Sequence, residues 1–439
     1  MANAAFDFGE LEDREPRPLA PLVAALDVGV SKTVCLAARR DPVLDMHPER
    51  PMRVLGVGMQ AAPSVASGKG ADFDSCARAI RVAIDEASAM AGAPITRVVA
   101  SYAGPGLAAR VVRGTARVRG RYVTGRDLDA ALNNALNVAP LAQLTALYIE
   151  PLRYVVDKGA PVDDPVGMAG KQLAVDACIV TAPLEAVNAL KACIRQAGCE
   201  IEEIVPAPQA SGLAALTPEE RAGALVLDLG AGSLGISVFA KEGLVHAESV
   251  PMGGVRMTRD LAKKLETTFA AAERVKVAFG AVGAAFDPKE AVQAPKISAE
   301  GRLEAATTLR GVISDTISPR LVDMLLFARQ RLAKAGFAGE DGPQRAVLVG
   351  GGAMLPGVRE LAMEHLGMPV RIGRPLELCG FDHGEAGPAF ACAAGLLRWR
   401  FDNPTLDDVD QDFQPTLAHA AHVMRSGAAN AWTWLRENF

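Results

Sequence analysis

The feature that most constrains this chain is a pair of similar turns that lie far apart in the sequence. Residues 26–32 read LDVGVSK and residues 227–233 read LDLGAGS, so each contains an Asp followed two positions later by a Gly. An apolar run precedes and follows each turn, which predicts two β-hairpins. Gly permits the positive φ that tight turns use and leaves backbone N–H groups free to face an anion. One Asp-x-Gly turn is common between strands, but a repeated pair is far more informative.

A third glycine cluster follows a short apolar strand. Residues 346–349 read AVLV, which is typical of a buried strand, and they lead into GGGAM at 350–354. Glycines at a strand end let a ligand approach the backbone, and the helix predicted over 358–366 offers an N-terminus. Glu273 and Lys276 share one face of a predicted amphipathic helix. That spacing alone would indicate a surface ion pair, but beside the glycine elements it favours a nucleotide site.

Length and composition predict a globular protein with a large core. The chain has 439 residues, 50% of them hydrophobic, and no apolar run approaches the length of a transmembrane helix. The acidic N-terminus is unlike a signal peptide, so we expect a cytoplasmic protein. Seven scattered cysteines and six histidines show no disulfide or metal-ligand spacing. A net charge of -5 argues against general nucleic-acid binding, and the arginine-rich stretch 110–126 is more typical of a solvated sheet face.

The pattern of strands and helices divides the chain into several predicted units. These are a disordered N-terminus over 1–21, a first lobe over 22–96 and 182–222 closed by 388–400, an inserted small α+β domain over 97–181, a second-lobe nucleotide subdomain over 223–254 and 336–387, a mostly helical insertion over 255–335, a flexible tether over 401–423 and an amphipathic helix over 424–439.

The end of the chain is predicted to be a tethered amphipathic helix. Residues 401–414 are rich in Asp and too polar to bury, which favours a flexible tether. In the tail that follows, the apolar side chains share about half of a helical wheel. Because Trp and Phe suit a membrane interface, we interpret the tail as an interfacial anchor rather than a core helix. The predicted anchor residues are Trp432, Trp434, Leu435 and Phe439.

The three glycine elements, in their chain order, resemble the phosphate-1, phosphate-2 and adenosine elements of the actin/Hsp70/hexokinase superfamily. This resemblance implies an α/β, actin-like (ribonuclease H-like) fold of two lobes. The inserted domain and the tethered tail resemble, more narrowly, the FtsA family of bacterial cell-division proteins, from about residue 22 to residue 439. Five stretches carry the narrower resemblance: DPVGMAG at 164–170, PMGGVRMTRD at 251–260, ISPR at 317–320, RIGRP at 371–375 and WLRENF at 434–439.

The resemblance implies binding of ATP and Mg²⁺. Asp27 and Asp228 would orient Mg²⁺ and its waters. The phosphates would lie against the two turns, formed by Gly29, Val30, Ser31, Lys32, Gly230, Ala231, Gly232 and Ser233. Adenosine would lie between the pair Glu273 and Lys276 and the loop residues Gly351, Gly352 and Met354.

The family also implies partners and a location. We expect a peripheral protein on the cytoplasmic face of the bacterial inner membrane, at the division site, where it polymerises and anchors FtsZ filaments. The expected partners are FtsZ, membrane lipid, other division proteins and further copies of this chain, but not nucleic acid. Arg302 and Arg310 lie in the region that would contact FtsZ.

One position departs from the relatives. Hsp70 and MreB place a Glu before Pro in the stretch that connects the lobes, where it positions the attacking water, whereas Ala207 precedes Pro208 here. Losing such a group slows hydrolysis by about 10²–10⁴-fold, and the adjacent Gln209 is a candidate substitute. We therefore expect ATP binding with slow hydrolysis at most. The alternatives are a sugar-kinase-like or Hsp70-like ATPase of the same superfamily.

Overall fold

The computed structural model describes residues 21–40, 52–61, 73–241, 243–339, 342–376, 378–380 and 387–403. The predicted N-terminal segment up to residue 20, most of the tether and the whole terminal helix lie outside these ranges. No helix within the described ranges is long and apolar enough to cross a membrane.

The described elements alternate between strands and helices along most of the chain. The strands are β1 Val23–Val28, β2 Lys32–Arg40, β3 Met52–Ala61, β4 Arg97–Tyr102, β5 Ala108–Arg117, β6 Leu144–Val156, β7 Gln172–Pro183, β8 Glu200–Pro206, β9 Gly223–Leu229, β10 Leu234–Ala240, β11 Gly243–Val250, β12 Ala291–Gln293, β13 Lys296–Ile297, β14 Leu303–Glu304, β15 Thr307–Leu309, β16 Ala346–Val349, β17 Val370–Ile372 and β18 Leu378–Cys379. The helices are α1 Phe73–Ala91, α2 Gly125–Val138, α3 Leu184–Gln196, α4 Ala207–Ala215, α5 Gly254–Lys264, α6 Phe269–Phe279, α7 Arg310–Lys334, α8 Val358–Leu366 and α9 Ala391–Asp402, with 3-10 turns at Glu220–Ala222, Gly351–Met354 and Pro388–Phe390.

The first lobe is built on a six-stranded sheet in the order β18-β3-β2-β1-β4-β8. Strand β1 pairs antiparallel with β2 and parallel with β4. Helices α1 and α3 cover one face of the sheet, and α4 and α9 cover the other. Because both faces are covered, β1 and β2 are apolar and buried along most of their length.

Three predicted boundaries of this lobe differ from the structure. Residues 97–102, assigned from the sequence to the inserted domain, form β4 of the first-lobe sheet, between β1 and β8. Strand β18, assigned to the second lobe, pairs with β3 at the edge of the same sheet. Phe401, assigned to the tether, is buried against the core at the end of α9. In each case a pairing or a packing contact with a distant part of the chain overrides the local composition.

The second sheet has eight strands in the order β17-β16-β9-β10-β11-β5-β7-β6. Strands β9, β10, β11, β16 and β17 come from the second lobe, and β5, β6 and β7 come from the insertion in the first lobe. The two groups of strands meet where β11 pairs with β5, through a single residue pair, Glu248 opposite Ala108. Ser249 reinforces this junction because its N–H donates to Leu107 O over 3.0 Å and its Oγ to Ala103 O over 2.7 Å.

The inserted domain is a three-stranded antiparallel sheet with α2 packed on one face. The predicted architecture, two lobes of α/β structure with an inserted small α+β domain, is present in the structure. The region 255–335 contains α5, α6 and α7, and also the short strand pairs β12–β15 and β13–β14 that the helical prediction omitted. Its helices pack on the second-lobe sheet in one apolar cluster.

Candidate functional site

The first predicted turn connects β1 to β2. Gly29 N donates to Lys32 O over 2.9 Å, and a Cβ atom added to Gly29 would lie only 2.9 Å from that oxygen. A side chain at this position would therefore open the turn. Asp27 lies two residues before the glycine, and its Oδ1 accepts a hydrogen bond of 2.6 Å from Ser101 Oγ on β4.

The second predicted turn connects β9 to β10 and repeats this geometry. Gly230 N donates to Ser233 O over 3.1 Å, and an added Cβ would lie 2.8 Å from the same oxygen. Asp228 Oδ2 accepts a hydrogen bond of 2.7 Å from Ser211 Oγ on α4. Each Asp is thus held by a serine from a neighbouring element. The sequence analysis missed both serines, because neither lies at a fixed spacing from its Asp.

The two turns contact each other. A Cβ atom added to Gly232 would lie 2.1 Å from Val30 Cγ2, so only glycine fits between the hairpins here. Ser31 is exposed beside Val30 on the first turn, while Ala231 accepts a hydrogen bond of 2.9 Å from Val255 N at the start of α5. The structure therefore brings both predicted phosphate elements to one place between the lobes.

The charges at this place are strongly coupled. Burial raises the pKa of Asp228 to about 6, and the charge of Asp27 adds to that rise while Ser211 and Lys32 oppose it. Burial lowers the pKa of Lys32, against the attraction of both carboxylates. Lys32 Nζ also lies 4.4 Å from the ring centroid of Phe390. One ammonium group therefore faces two carboxylates, which leaves the cluster short of positive charge.

The third glycine element lies against the second turn. Strand β16 runs parallel to β9, with Val349 opposite Asp228. Gly350 has φ 82°, and a Cβ atom there would lie 2.3 Å from Asp228 Oδ1. Gly352 also packs closely on the second lobe, since its added Cβ would lie 2.8 Å from Leu229 Cβ.

The end of this loop is open on its other side. A Cβ atom added to Gly351 would meet no heavy atom within 4 Å, and Met354 is 62% exposed. A cavity of about 530 Å³ begins at Met354 and extends between Arg374 and Pro388.

Glu273 and Lys276 form a compact polar group with a residue that the sequence analysis missed. Lys276 Nζ donates to Glu273 Oε2 over 2.7 Å and to Thr258 Oγ1 over 2.8 Å, and the Thr258 hydroxyl also bonds to Glu273. Thr258 lies on α5, whose first residue, Gly254, donates its N–H to Gly230 O over 3.0 Å. Helix α5 therefore links the Glu273–Lys276 pair directly to the second turn.

Gln209 lies near the start of α4, one residue after Pro208. Pro208 lies close to Gly235, which pairs directly with Asp228 across the second hairpin. Gln209 is only 3% exposed, and its Oε1 atom has no hydrogen-bond partner in the described part of the chain. An unpartnered buried carbonyl oxygen is costly unless a further group binds it.

The remaining predicted residues are not brought to this site. Arg310 donates to Phe279 O over 2.9 Å and to Glu290 Oε2 over 2.8 Å, whereas Arg302 is exposed beside β14. Trp432, Trp434, Leu435 and Phe439 lie outside the described residues. No group of three or more His, Cys, Asp or Glu side chains suited to a metal occurs among the described residues.

Comparison with solved structures identifies the fold class of this chain. One chain of the solved "PilM-PilN type IV pilus biogenesis complex" superposes with a TM-score of 0.60 at 20% sequence identity, covering 86% of this chain and 98% of that chain. With its two sheets and its inserted domain, the chain has an actin-like fold.

The sequence comparisons narrow that class. The family model described as "Cell division protein FtsA" matches residues 225–395, and "SHS2 domain inserted in FTSA" matches residues 104–181. Cell division protein FtsA of Rhizobium meliloti (strain 1021) is 33% identical over 430 residues, covering 97% of this chain and 96% of the relative. The Neisseria meningitidis serogroup B protein is 29% identical over 378 residues, with coverages of 85% and 89%. The Escherichia coli K12 protein is 25% identical over 429 residues, with coverages of 95% and 98%. The chain belongs to the FtsA family of cell-division proteins, which confirms the family predicted from its motifs.

Proposed function

We propose that this chain is an ATP-binding division protein that polymerises on the cytoplasmic face of the inner membrane and anchors FtsZ filaments there. In this role it also helps to recruit later division proteins. The observation that carries the nucleotide part is the contact between two glycine turns, each following an aspartate, beside a single lysine. The membrane and FtsZ parts rest on family membership and on the sequence of the tail.

The residues present fit a nucleotide with its divalent cation. At positions 29, 230 and 232 an added Cβ atom would collide with the turns themselves, so glycine keeps both turns tight and their backbones close together, as a site for phosphates requires. Asp27 and Asp228 are oxygen ligands of the kind that Mg²⁺ prefers, directly or through water. Burial raises the pKa of Asp228 and the charge of Asp27 adds to the rise; a bound cation would offset both effects by stabilising the two carboxylates.

The adenosine would lie between α6 and the third glycine element. Glu273 and Lys276 offer an acceptor and a donor that are already fixed by Thr258. The open position at Gly351 and the exposed Met354 provide an apolar surface on the opposite side. An arrangement with polar groups on one side and an accessible backbone on the other suits a nucleoside.

Hydrolysis is expected to be slow at most. Ala207 carries no group that could position a water, and Gln209 supplies only an amide, whose Oε1 is buried. An amide can orient a water but is a poor general base, so the nucleotide would act mainly by stabilising one arrangement of the lobes.

Membrane attachment is assigned to the C-terminal tail. Trp432, Trp434, Leu435 and Phe439 would enter the interface, and the polar residues that follow α9 would allow the tail to reach the bilayer. One such helix binds weakly, so polymerisation would supply avidity. The inserted domain would serve assembly, and the 255–335 region would contact FtsZ, with exposed Arg302 better placed for that than the partnered Arg310.

Calorimetric titration with Mg-ATP tests the nucleotide part. Asp228→Ala should weaken binding at least about tenfold, because the substitution removes one of two carboxylates that face the cation. Asp85→Ala, on an exposed part of α1, is the matched control and should bind like the parent. Equal affinity of a folded Asp228→Ala protein and the parent would contradict the proposed site.

A further inference from the structure

The far end of the inserted domain has an unusual surface, here called the distal tip and defined as residues 117–129 and 164–171. Its two segments are joined by backbone hydrogen bonds: Val123 N donates to Met168 O and Gly167 N to Val123 O, both over 2.9 Å, and Val118 N to Lys171 O over 2.9 Å. Tyr122 also forms a β-bridge with Ala169. The tip is therefore an ordered unit rather than two independent loops.

Three large apolar side chains protrude from this unit. Tyr122 is 50% exposed, Val166 is 53% exposed and Met168 is 39% exposed. They lie within exposed runs at 119–122 and 166–169, while Val118 and Val123 on the same segment are buried under α2. The apolar core of the domain is thus complete without the three exposed residues, so packing within the domain does not explain them.

Basic side chains surround these apolar groups. Arg117, Arg119, Arg121 and Arg126 are all exposed, and Arg121 lies over the ring of Tyr122 at 5.4 Å. The tip contains five basic and three acidic side chains, a net charge of +2 on a chain whose net charge is -5.

The acidic side chains of the tip are largely occupied by its own backbone. Asp127 accepts hydrogen bonds from the N–H groups of Thr124 over 2.9 Å and Arg119 over 3.2 Å, and Asp164 accepts one from Val166 N over 3.0 Å. Neither Arg117 nor Arg126 forms an ion pair with any carboxylate of the described residues. An open cleft of about 660 Å³ lies between Arg119 and Arg126 at the start of α2. The tip therefore presents cationic groups that are available to an anionic partner.

The tip lies at the end of the inserted domain that is far from the second lobe, where a membrane surface could reach it. Strand β5 joins the second-lobe sheet at Ala108 and reaches the tip at its other end, Arg117. Ten residues of strand span about 33 Å, so the tip lies far from the junction. Protruding aromatic and aliphatic groups surrounded by arginines match the interface of an anionic bilayer, in which apolar side chains enter and cations meet headgroups.

We infer that the distal tip is a second membrane contact, which binds anionic phospholipid independently of the C-terminal tail. The inference rests on the membrane location proposed above and adds a second lipid-binding site to the one proposed in the tail. Two weak contacts on one chain would increase affinity without any new interaction in either of them. They would also fix the orientation of the protein on the bilayer, which a single tethered helix cannot do.

An environment-sensitive NBD dye at position 166 tests the contact in the full chain. Six of the seven cysteines are buried, so Val166→Cys can be labelled selectively on a Cys379→Ser background. Val138→Cys is the matched control, because Val138 is 64% exposed at the opposite end of α2. With vesicles containing phosphatidylglycerol, NBD emission should rise and shift to the blue at 166 but not at 138. Sedimentation of the protein with no change at 166 would overturn the tip contact and leave the tail anchor standing.

A charge series separates the tip from the tail. In a Trp434→Glu background, residual sedimentation with phosphatidylglycerol vesicles at low salt should persist. The triple change Arg117→Ser, Arg119→Ser and Arg121→Ser should reduce it at least about tenfold. The matched control replaces three exposed lysines of the second lobe, Lys263→Ser, Lys264→Ser and Lys334→Ser. It changes the net charge by the same amount and should have little effect on the residual sedimentation. If both triple variants lost sedimentation equally, the effect would be one of net charge only, and the assignment of a lipid contact to the distal tip would be overturned. The absence of any residual sedimentation in the Trp434→Glu background would overturn it as well.

Discussion

Asp27 and Asp228 are the residues on which the candidate site depends, and the two are held in similar ways. Each is the second-last residue of an apolar strand, and each accepts a short hydrogen bond from a serine on another element, Ser101 or Ser211. The protein environment nevertheless disfavours the charge on Asp228, because burial raises its pKa to about 6 and Asp27 adds to the rise. The ligand-free site therefore stores unfavourable electrostatic free energy that a bound cation would release.

This predicts a pH-dependent effect of Asp228→Asn. The folded carboxyl binds its proton more tightly than the unfolded one, so the ionised form lowers stability above about pH 6, and the loss disappears as the pH falls towards 4. The Asn variant should therefore stabilise the ligand-free protein at pH 8 by roughly 1–3 kcal/mol, with little gain near pH 4. Urea unfolding at both pH values measures the difference, with Asp85→Asn as the control. A gain of the same size at both pH values would show that ionisation is not its cause.

At the scale of elements, the local signals in the sequence were reliable wherever glycine determined the backbone. Both hairpins, the strand before Gly350 and the helix after it lie where the sequence predicted them. Ser101, Ser211 and Thr258 were not predicted, because their roles depend on strand order and helix packing rather than on spacing. For the same reason the sequence did not reveal that the inserted strands extend the second-lobe sheet.

The third glycine element gives a prediction that separates backbone strain from close packing. Gly350 has φ 82° and approaches Asp228, whereas Gly367 has φ 70° at the end of α8, with nothing within 4 Å of an added Cβ. Gly367→Ala should cost about 1 kcal/mol from backbone conformation alone. Gly350→Ala should cost about 2–4 kcal/mol, because a collision with Asp228 is added. Guanidinium unfolding compares the two variants, and equal costs would mean that the loop moves away from Asp228 easily.

At the scale of the whole molecule, the connections between the lobes place the site. Helices α4 and α9 connect the lobes and touch backbone to backbone, since a Cβ atom added to Gly395 would lie 1.7 Å from Ala210 O. Helix α4 carries Ser211, and α9 follows the 3-10 turn that contains Phe390 and contacts Lys32. The proposed membrane tail follows α9 in the sequence. It therefore contains none of the residues proposed to bind the nucleotide.

That separation predicts the behaviour of Trp434→Glu. A charge in the tail should release the protein from vesicles at physiological salt, because burying one large apolar side chain contributes roughly 1.5–3 kcal/mol. Mg-ATP binding and FtsZ binding in solution should be unchanged. The sedimented fraction with vesicles, with and without FtsZ, gives the result, and Met363→Glu on the partly exposed face of α8 is the control. Parent-like sedimentation of Trp434→Glu would remove the tail from the proposed function.

The single pair of residues that joins β11 to β5 also has a mechanical consequence. The inserted domain is covalently part of the first lobe but is hydrogen-bonded to the second, through Glu248 opposite Ala108 and through Ser249. Any rotation of one lobe against the other must therefore either break this junction or swing the domain as a lever arm. Over the roughly 33 Å of β5, a rotation of about 10° displaces the distal end by about 6 Å. A small closure around a nucleotide would thus be amplified at the part of the molecule farthest from the nucleotide.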